Sequence, residues 1–338
     1  MISQALVSKS RRRFLSTASA AAVACAVPRT ESAGTSVPPE VRRIRLSWIP
    51  ALCLAPQYLA KSLLYAEGFQ QVEYVRFTRT GGGAEPAASV VDVSLEAVGS
   101  GIVGIDAGLP LVHLAGVHLG CYELFAQSGI QSFRDLKHGT IPIDGVNGPQ
   151  HLFLSTMASY VGLDPRVDFR WEVHSSQVSK RLLEQGRVDA YLGLPPDPQD
   201  LRARGIGHVI VNTTTDKPWS QYYCCLLTAN AEFARKYPNA TLRAVRAILK
   251  AADLCASAPE AAARELVKAG YTGNYDVALK SLKDVDFRSW RSENPENTIR
   301  FHSVRLHEIG VIKSTPAQIL ARGTDWRYLD LLKRELKG

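Results

Sequence analysis

Strand-like and helix-like periods alternate along this chain twice over, and that repetition limits the fold more than any other feature of the sequence. Ile44, Leu46 and Trp48 alternate with Arg45 and Ser47, the period-2 pattern of a strand. Ala55 to Ala66 then carries Leu59, Leu63 and Leu64 at helical spacing, and Gly68 closes it. Gln71 to Phe77, Asp92 to Leu95 and Leu111 to Val117 read as further strands, with a helical stretch over Glu96 to Ala107. The alternation restarts with a short helix at Ser132 to Lys137 and a strand at Thr140 to Asp144. Helices at Gln150 to Val161 and Gln177 to Gln185 then intervene between strands at Phe169 to His174, Ala190 to Leu194 and His208 to Val211. Strands alternating with helices predict an α/β fold, each unit a mostly parallel sheet covered on both faces.

From Glu232 onward the pattern is helical. Leu242, Val245, Leu249 and Ala252 trace one stripe, and Ser257-Ala258-Pro259-Glu260 starts a helix that runs to a cap at Gly270. This tail has no sheet of its own, so it is expected to pack back onto the first lobe. Cys121 to Gln127 and Gln221 to Thr228 bracket the second unit and are strand-like, which predicts two crossover strands forming a hinge over a cleft. The expected lobes are 43–120 with 225–338, and 121–224. A chain of 338 residues suits two such lobes better than one small core.

The first 26 residues read as an export segment. Ser10-Arg11-Arg12-Arg13-Phe14-Leu15 is a twin-arginine signature, Met1 to Arg13 lacks acidic residues, and Phe14 to Val27 is Ala-rich and modestly apolar. Small residues at Ala24 and Ala26 suit cleavage, and Cys25 offers lipid anchoring as the less favoured alternative. A flexible tail over 27–42 follows. The protein is therefore expected in the periplasm, where nucleotide cofactors and nucleic acids are scarce. Removing Lys9 and Arg11 to Arg13 lowers Lys+Arg from 40 to 36 against 32 acidic residues, or +4. The remaining cations are scattered singly, which argues against nucleic acid as a partner. No stretch offers a spanning length of apolar residues, so stable membrane insertion is not expected.

Several motifs are decoys. Gly99-Ser100-Gly101-Ile102-Val103-Gly104 fits G-x-G-x-x-G, but Gly108 and Pro110 end its helix early and it is not the first strand–helix turn of its unit. It reads as small-residue helix packing. The cysteines at 53, 121, 224, 225 and 255 show no C-x-x-C pair or matched histidine spacing, so no metal site, disulfide framework or cofactor is expected. His113 and His118 are five apart, as are His302 and His307, which does not place a pair on one helix face. Nothing local joins Ser, His and Asp into a triad, and no catalytic residue is assigned.

One loop has the character of a ligand site. Asp144-Gly145-Val146-Asn147-Gly148-Pro149-Gln150-His151 joins a strand to a helix, with Gly148 at the cap and Pro149 at the first helical position. Backbone N–H groups of Gly148, Gln150, His151 and Leu152 would then attract a carboxylate, sulfonate or phosphate; an ordinary strand–helix turn is the equal alternative. Thr80-Gly81-Gly82-Gly83 holds the matching place in the first unit, which would set two donor loops across a cleft. Trp48 and Trp219 each lie beside a proline and could stack on a ligand or plug a core, with the cleft favoured for Trp48. Trp171 alternates with Phe169 and Val173 and reads as core.

Together these residues resemble the substrate-binding proteins of ABC importers, in the nitrate/sulfonate/taurine group that includes binders of thiamine pyrimidine precursors. Three stretches carry the likeness: Trp48 to Phe69, with Ala55-Pro56-Gln57-Tyr58-Leu59-Ala60 and Glu67-Gly68-Phe69; Ile105-Asp106-Ala107-Gly108 with Leu114-Ala115-Gly116-Val117-His118; and Leu182 to Ala190. The resemblance implies a two-lobed periplasmic-binding-protein (Venus-flytrap) fold, a monomer that captures a small sulfonate, nitrate, carboxylate or pyrimidine between its lobes. Its partners would be an ABC permease with its ATPase. By position, the cleft residues implied are Trp48, Gln57, Thr80, Gly81, Gly82, Asp92, Gly148, Pro149, Gln150, His151 and Asp189, with Asp92 and Asp189 alternatively capping structure. Two further readings follow from the same resemblance. One is a thiamine pyrimidine synthase-like enzyme, whose Cys-rich run Cys224-Cys225 echoes only as a pair pointing to opposite faces of a strand. The other is a ligand sensor for a receptor kinase.

Overall fold

The structure, a computed structural model, describes residues 37–76 and 87–336. Thr80, Gly81 and Gly82, together with the export segment, lie outside the described residues. In chain order the first unit runs β1 (Arg43–Ser47), α1 (Ala55–Ala66), β2 (Gln71–Val75), β3 (Val93–Ala97), α2 (Val98–Asp106) and β4 (Leu111–Leu119). The second comprises β5 (Glu123–Ala126), β6 (Thr140–Ile143), α3 (Pro149–Val161), β7 (Arg170–Val173), α4 (Ser176–Glu184), β8 (Ala190–Gly193), α5 (Asp197–Arg204) and β9 (His208–Asn212). β10 (Tyr223–Asn230) returns to the first, and seven helices follow: α6 (Ala231–Lys236), α7 (Pro238–Ser257), α8 (Pro259–Lys268), α9 (Tyr275–Asp284), α10 (Pro295–Glu308), α11 (Pro316–Gly323) and α12 (Arg327–Glu335).

A five-stranded sheet has the order β2-β1-β3-β10-β4. β1 pairs in parallel with β2 and β3, while β10 is antiparallel to both β3 and β4. In the second unit β5 lies antiparallel between β8 and β9, and β6 pairs in parallel with β7. Sheets covered on both faces bury every position of their central strands, and here even the edge strand β4 has all nine residues buried. Ser47 is therefore not a solvent-facing residue of an alternating strand. It is fully buried, and its hydroxyl lies 2.6 Å from that of Ser94.

The crossovers differ from the sequence expectation in one respect. Cys121 to Gln127 and Gln221 to Thr228 are not strands shared between sheets: β5 belongs wholly to the second sheet and β10 wholly to the first. The chain crosses in the short stretches 120–122 and 213–222, the first fastened to the second where the Thr213 hydroxyl accepts the N–H groups of Cys121 and Tyr122 at 3.0 and 2.9 Å. The five-residue pairing of β10 with β3 explains why this returning segment stays in the first sheet.

The tail packs on the first sheet. Val245, Leu249 and Ala252 of the α7 stripe are fully buried, and α7 lies on α1. Isolated bridges His113–Thr324 and Leu119–Asp286 close the β4 edge against the tail, leaving no long unpaired edge there. The helix α5 was not foreseen, because Leu194-Pro195-Pro196-Asp197-Pro198 reads as a break. Pro198 sits in its first turn, where a missing N–H costs nothing. Val173 is 60% exposed, so the strand β7 does not bury the whole face that its alternation suggested.

Candidate functional site

Most of the polar residues picked out from the sequence have their hydrogen-bonding capacity used inside the fold. Gln57 is fully buried on α1: its amide donates to the Ser47 carbonyl at 2.7 Å, and its oxygen accepts the Leu95 N–H at 2.7 Å. It ties β1 to β3. Asp92 accepts the Arg45 N–H at 2.7 Å and pairs with the Arg45 guanidinium at 2.8 Å. Asp189 accepts the Thr140 N–H at 2.6 Å, joining the ends of β6 and β8. Gln150 accepts from the Asp144 N–H at 3.0 Å and donates to the Leu192 carbonyl at 2.7 Å.

The loop before α3 has the predicted cap, with Gly148 extended and Pro149 at the first helical position. Its donors are not all turned outward. The Gly148 N–H donates to Gly145 at 2.9 Å and the Leu152 N–H to Gly148 at 2.9 Å, as in an ordinary helix start. A methyl group at Gly148 would fall 2.4 Å from Oδ1 of Asp144, so the chain's own carboxylate already stands at the helix N-terminus. The expectation of four free donors is thus corrected: two are spent, and an anion is built in. His151 accepts the Asn147 N–H at 3.1 Å and stands edge-on to Trp171; burial pushes its imidazole down to about 4.

Trp48 does line a cavity. With Ile49, Pro50, Tyr58, Pro196 and Tyr271 it encloses about 160 Å³, and the Arg76 guanidinium lies 3.8 Å from its ring centre. Trp219 instead joins Phe153, Tyr160 and Phe301 in an aromatic core. A smaller void of about 10 Å³ is bounded by Ala97, Val98 and Gly99 of the first unit and Tyr122, Pro149 and Phe153 of the second. Cys224 and His302 complete this wall.

Beside that void lies a group of side chains that spacing along the sequence did not reveal. Cys53 follows β1, His118 and Cys121 lie at the end of β4, and Cys224 and Cys225 open β10. All five are buried. One ligand atom each of Cys53, His118 and Cys225 lies within 4.8 Å of the others, and the Cys121 and Cys224 sulfurs are 3.0 Å apart. Three separate segments converge here, bringing thiols and an imidazole together where C-x-x-C spacing is absent. The opposite-face argument for Cys224 and Cys225 fails. Register shifts between β10 and β4 at this place form a bulge, which leaves an extra residue in β10 and re-aims the thiols.

The group is electrostatically coupled. Contact with the Cys121, Cys225 and His118 side chains holds the Cys53 thiol well below its ordinary value. Contacts with Cys121 and Cys225 bring Cys224 down to about 5, whereas burial drives Cys121 up. Burial alone would lower His118, but the neighbouring Cys53 and Cys224 carry it up to about 9. Such thiolate–imidazolium character is the form in which cysteine is nucleophilic or binds metals. The topology held the missing signal: Cys53, Cys121 and Cys224-Cys225 all fall at strand ends that meet one edge of the first sheet.

The glycine run Gly99 to Gly104 is packing, as read from the sequence. A methyl group at Gly101 would lie 2.3 Å from the His113 ring, and one at Gly99 3.0 Å from Leu152.

Comparison with solved structures places the architecture. The chain is similar to the periplasmic nitrate-binding protein NrtA of Synechocystis PCC 6803 at 13% identity and a TM-score of 0.71, covering 89% of this chain and 90% of that one. A protein from Bordetella bronchiseptica matches at 18% identity and 0.69, over 89% and 100%. The alkanesulfonate-binding protein SsuA of Xanthomonas axonopodis pv. citri, bound to MOPS, matches at 15% and 0.65, over 84% and 98%. These likenesses establish the periplasmic-binding-protein fold. No curated protein matches the sequence. Among the described residues no helix is long and apolar enough to cross a membrane. Residues 37–269 match the family described as NMT1-like, and the chain belongs to that family.

Proposed function

We propose that this protein is an extracytoplasmic solute-binding receptor of an ABC importer. On this reading residues 1–26 direct export by the twin-arginine route, and lobes 43–120 with 225–338 and 121–224 close on a small ligand for delivery to a permease and its ATPase. The observation that carries the reading is the cavity of about 160 Å³ where Trp48, Tyr58 and Tyr271 of the first unit meet Pro196 of the second. Contacts made with both halves exist only in the closed form, so a ligand that makes them shifts the open–closed balance. The NrtA and SsuA likenesses support a solute of the nitrate or sulfonate kind, while carboxylates and pyrimidines rest on the sequence resemblance alone.

The self-satisfied loop at Gly148 shifts attention within the site. Trp48 and Tyr271, with Arg76 over the indole, offer stacking and a cation to a planar or anionic solute. Thermal-shift titration of the purified chain with nitrate, short alkanesulfonates, small carboxylates and pyrimidines tests the reading. One class should raise Tm saturably with micromolar affinity, on the order of −8 kcal/mol. Trp48→Ala should weaken that response at least tenfold. Absence of any saturable shift up to millimolar concentrations would set the receptor reading aside.

A further inference from the structure

We infer that Cys53, His118 and Cys225 form a binding site for one thiophilic, closed-shell metal ion, zinc(II) or copper(I), with Cys121 and Cys224 as neighbouring thiols. The ligand atoms lie within 4.8 Å of one another and belong to three segments that the sheet fixes in place. Metal–sulfur and metal–imidazole bonds of about 2.3 and 2.0–2.1 Å put two sulfurs on one tetrahedral ion roughly 3.8 Å apart. The observed spread therefore needs at most about an ångström of side-chain adjustment.

The histidine is prepared for this role by its surroundings. Nδ1 of His118 can only donate to the Leu119 carbonyl, 3.2 Å away, so Nε2 is the ring atom turned to the thiols, and giving up its proton to a bound metal frees its lone pair. That Nε2 is fully buried and has no hydrogen-bond partner. A buried polar nitrogen without a partner costs about 1–3 kcal/mol, and a metal ion taken in exchange for its proton would relieve it. The remaining buried cysteine, Cys255, lies on α7 with its thiol pushed upward by burial, as expected of a packing residue.

Charge favours zinc(II) over copper(I). Two thiolates, Cys53 and Cys225, with a neutral imidazole balance a divalent ion, so the zinc(II) set carries no net charge, whereas copper(I) leaves it at −1. A neutral set is the form that a buried location tolerates best. The site is independent of which solute the cleft takes. If the twin-arginine reading holds, export of the folded chain would also carry a bound metal across intact.

The test uses the full chain, reduced and stripped with a chelator under anaerobic conditions. Cobalt(II) is expected to bind one equivalent with a thiolate-to-cobalt charge-transfer band in the near ultraviolet, and zinc(II) to bleach it. Competition with a chromophoric chelator for zinc and with bicinchoninate for copper(I) decides between the two ions. Cys225→Ser and His118→Gln should each weaken binding about 100-fold or more, while Cys255→Ser leaves it unchanged. The two ligand variants are read separately, so loss of folding in one leaves the other, and the wild-type spectrum needs neither. A reduced wild-type chain that takes up none of these ions would overturn the inference. So would a cobalt complex without the charge-transfer band, or unchanged affinity in a folded ligand variant. Isolation of a Cys121–Cys224 disulfide that, once reduced, still binds no metal would overturn it in favour of a redox pair.

Discussion

Gly101 and His113 show how a single residue's environment decides between rival meanings of a motif. The ring of His113 occupies the space that any side chain at 101 would need, and its Nδ1 lies 2.8 Å from the Thr228 hydroxyl. Gly101→Ala should cost about 1–3 kcal/mol, visible as a lower urea midpoint, because overpacking here pushes against a buried ring. An unchanged midpoint would show that the ring moves aside freely. His113 and His302 are both fully buried, and burial lowers each imidazole to about 3 from an ordinary 6.5. Between those values the unfolded chain binds two protons that the folded chain refuses. Stability from these groups is therefore complete above about pH 6.5 and falls as the pH drops toward 3, by roughly 1.4 kcal/mol per pH unit for each group. Urea midpoints across pH 7.5 to 5 should show this decline. His302→Phe, placed among Phe153, Phe301 and Tyr222, should remove about one proton from the slope. Parallel wild-type and variant profiles would count against His302 as a source.

At the level of elements, hydrogen bonds between segments explain why so many plausible site residues are structural. Gln57 is the clearest case, since both ends of its amide are used in holding α1 to β1 and β3. Gln57→Leu would strand the Leu95 N–H and the Ser47 carbonyl, and the solute-free protein should lose about 2–4 kcal/mol. Calorimetric melting without any solute checks this; full stability with lost solute response would return Gln57 to the cleft. Helix caps behave as their sequences suggest. The Asn230 oxygen accepts from the Glu232 and Phe233 N–H groups at the start of α6, and Asn230→Ala should cost about 1 kcal/mol in the same measurement. The strand and helix positions of both units were legible because burial on two faces imposes long apolar runs and helices impose their own period. The α5 helix was not, because two prolines precede it and a third stands in its first turn. Nor was the bulge in β10, which depends on how β4 is paired rather than on Cys224 or Cys225 themselves.

Across the whole molecule, α5 of the second unit is fastened to the tail of the first. Arg202 reaches the buried Glu123 at 2.5 Å and also pairs with Asp284 of α9, while the Gln199 amide donates to Asp284 at 2.9 Å. Glu123 belongs to the same unit as Arg202, so the contacts that opening would sacrifice are those of Arg202 and Gln199 with Asp284. Arg202→Ala should weaken closure by about 1 kcal/mol, and small-angle scattering of the solute-free chain should then report a larger radius of gyration. An unchanged radius would remove Arg202 as a latch. The sequence by itself determined the α/β class, the restart of the alternation, the helical tail and its buried stripe. Those are properties of local period, which a chain carries in its own residue order. Tertiary structure alone decided which polar groups remained for a ligand and which were consumed by neighbours, as with Gln57, Asp92, Gln150 and Asp189. It alone also brought Cys53, His118, Cys121, Cys224 and Cys225 together, because residues 172 positions apart along the chain become neighbours only when β1, β4 and β10 end at one edge of a sheet.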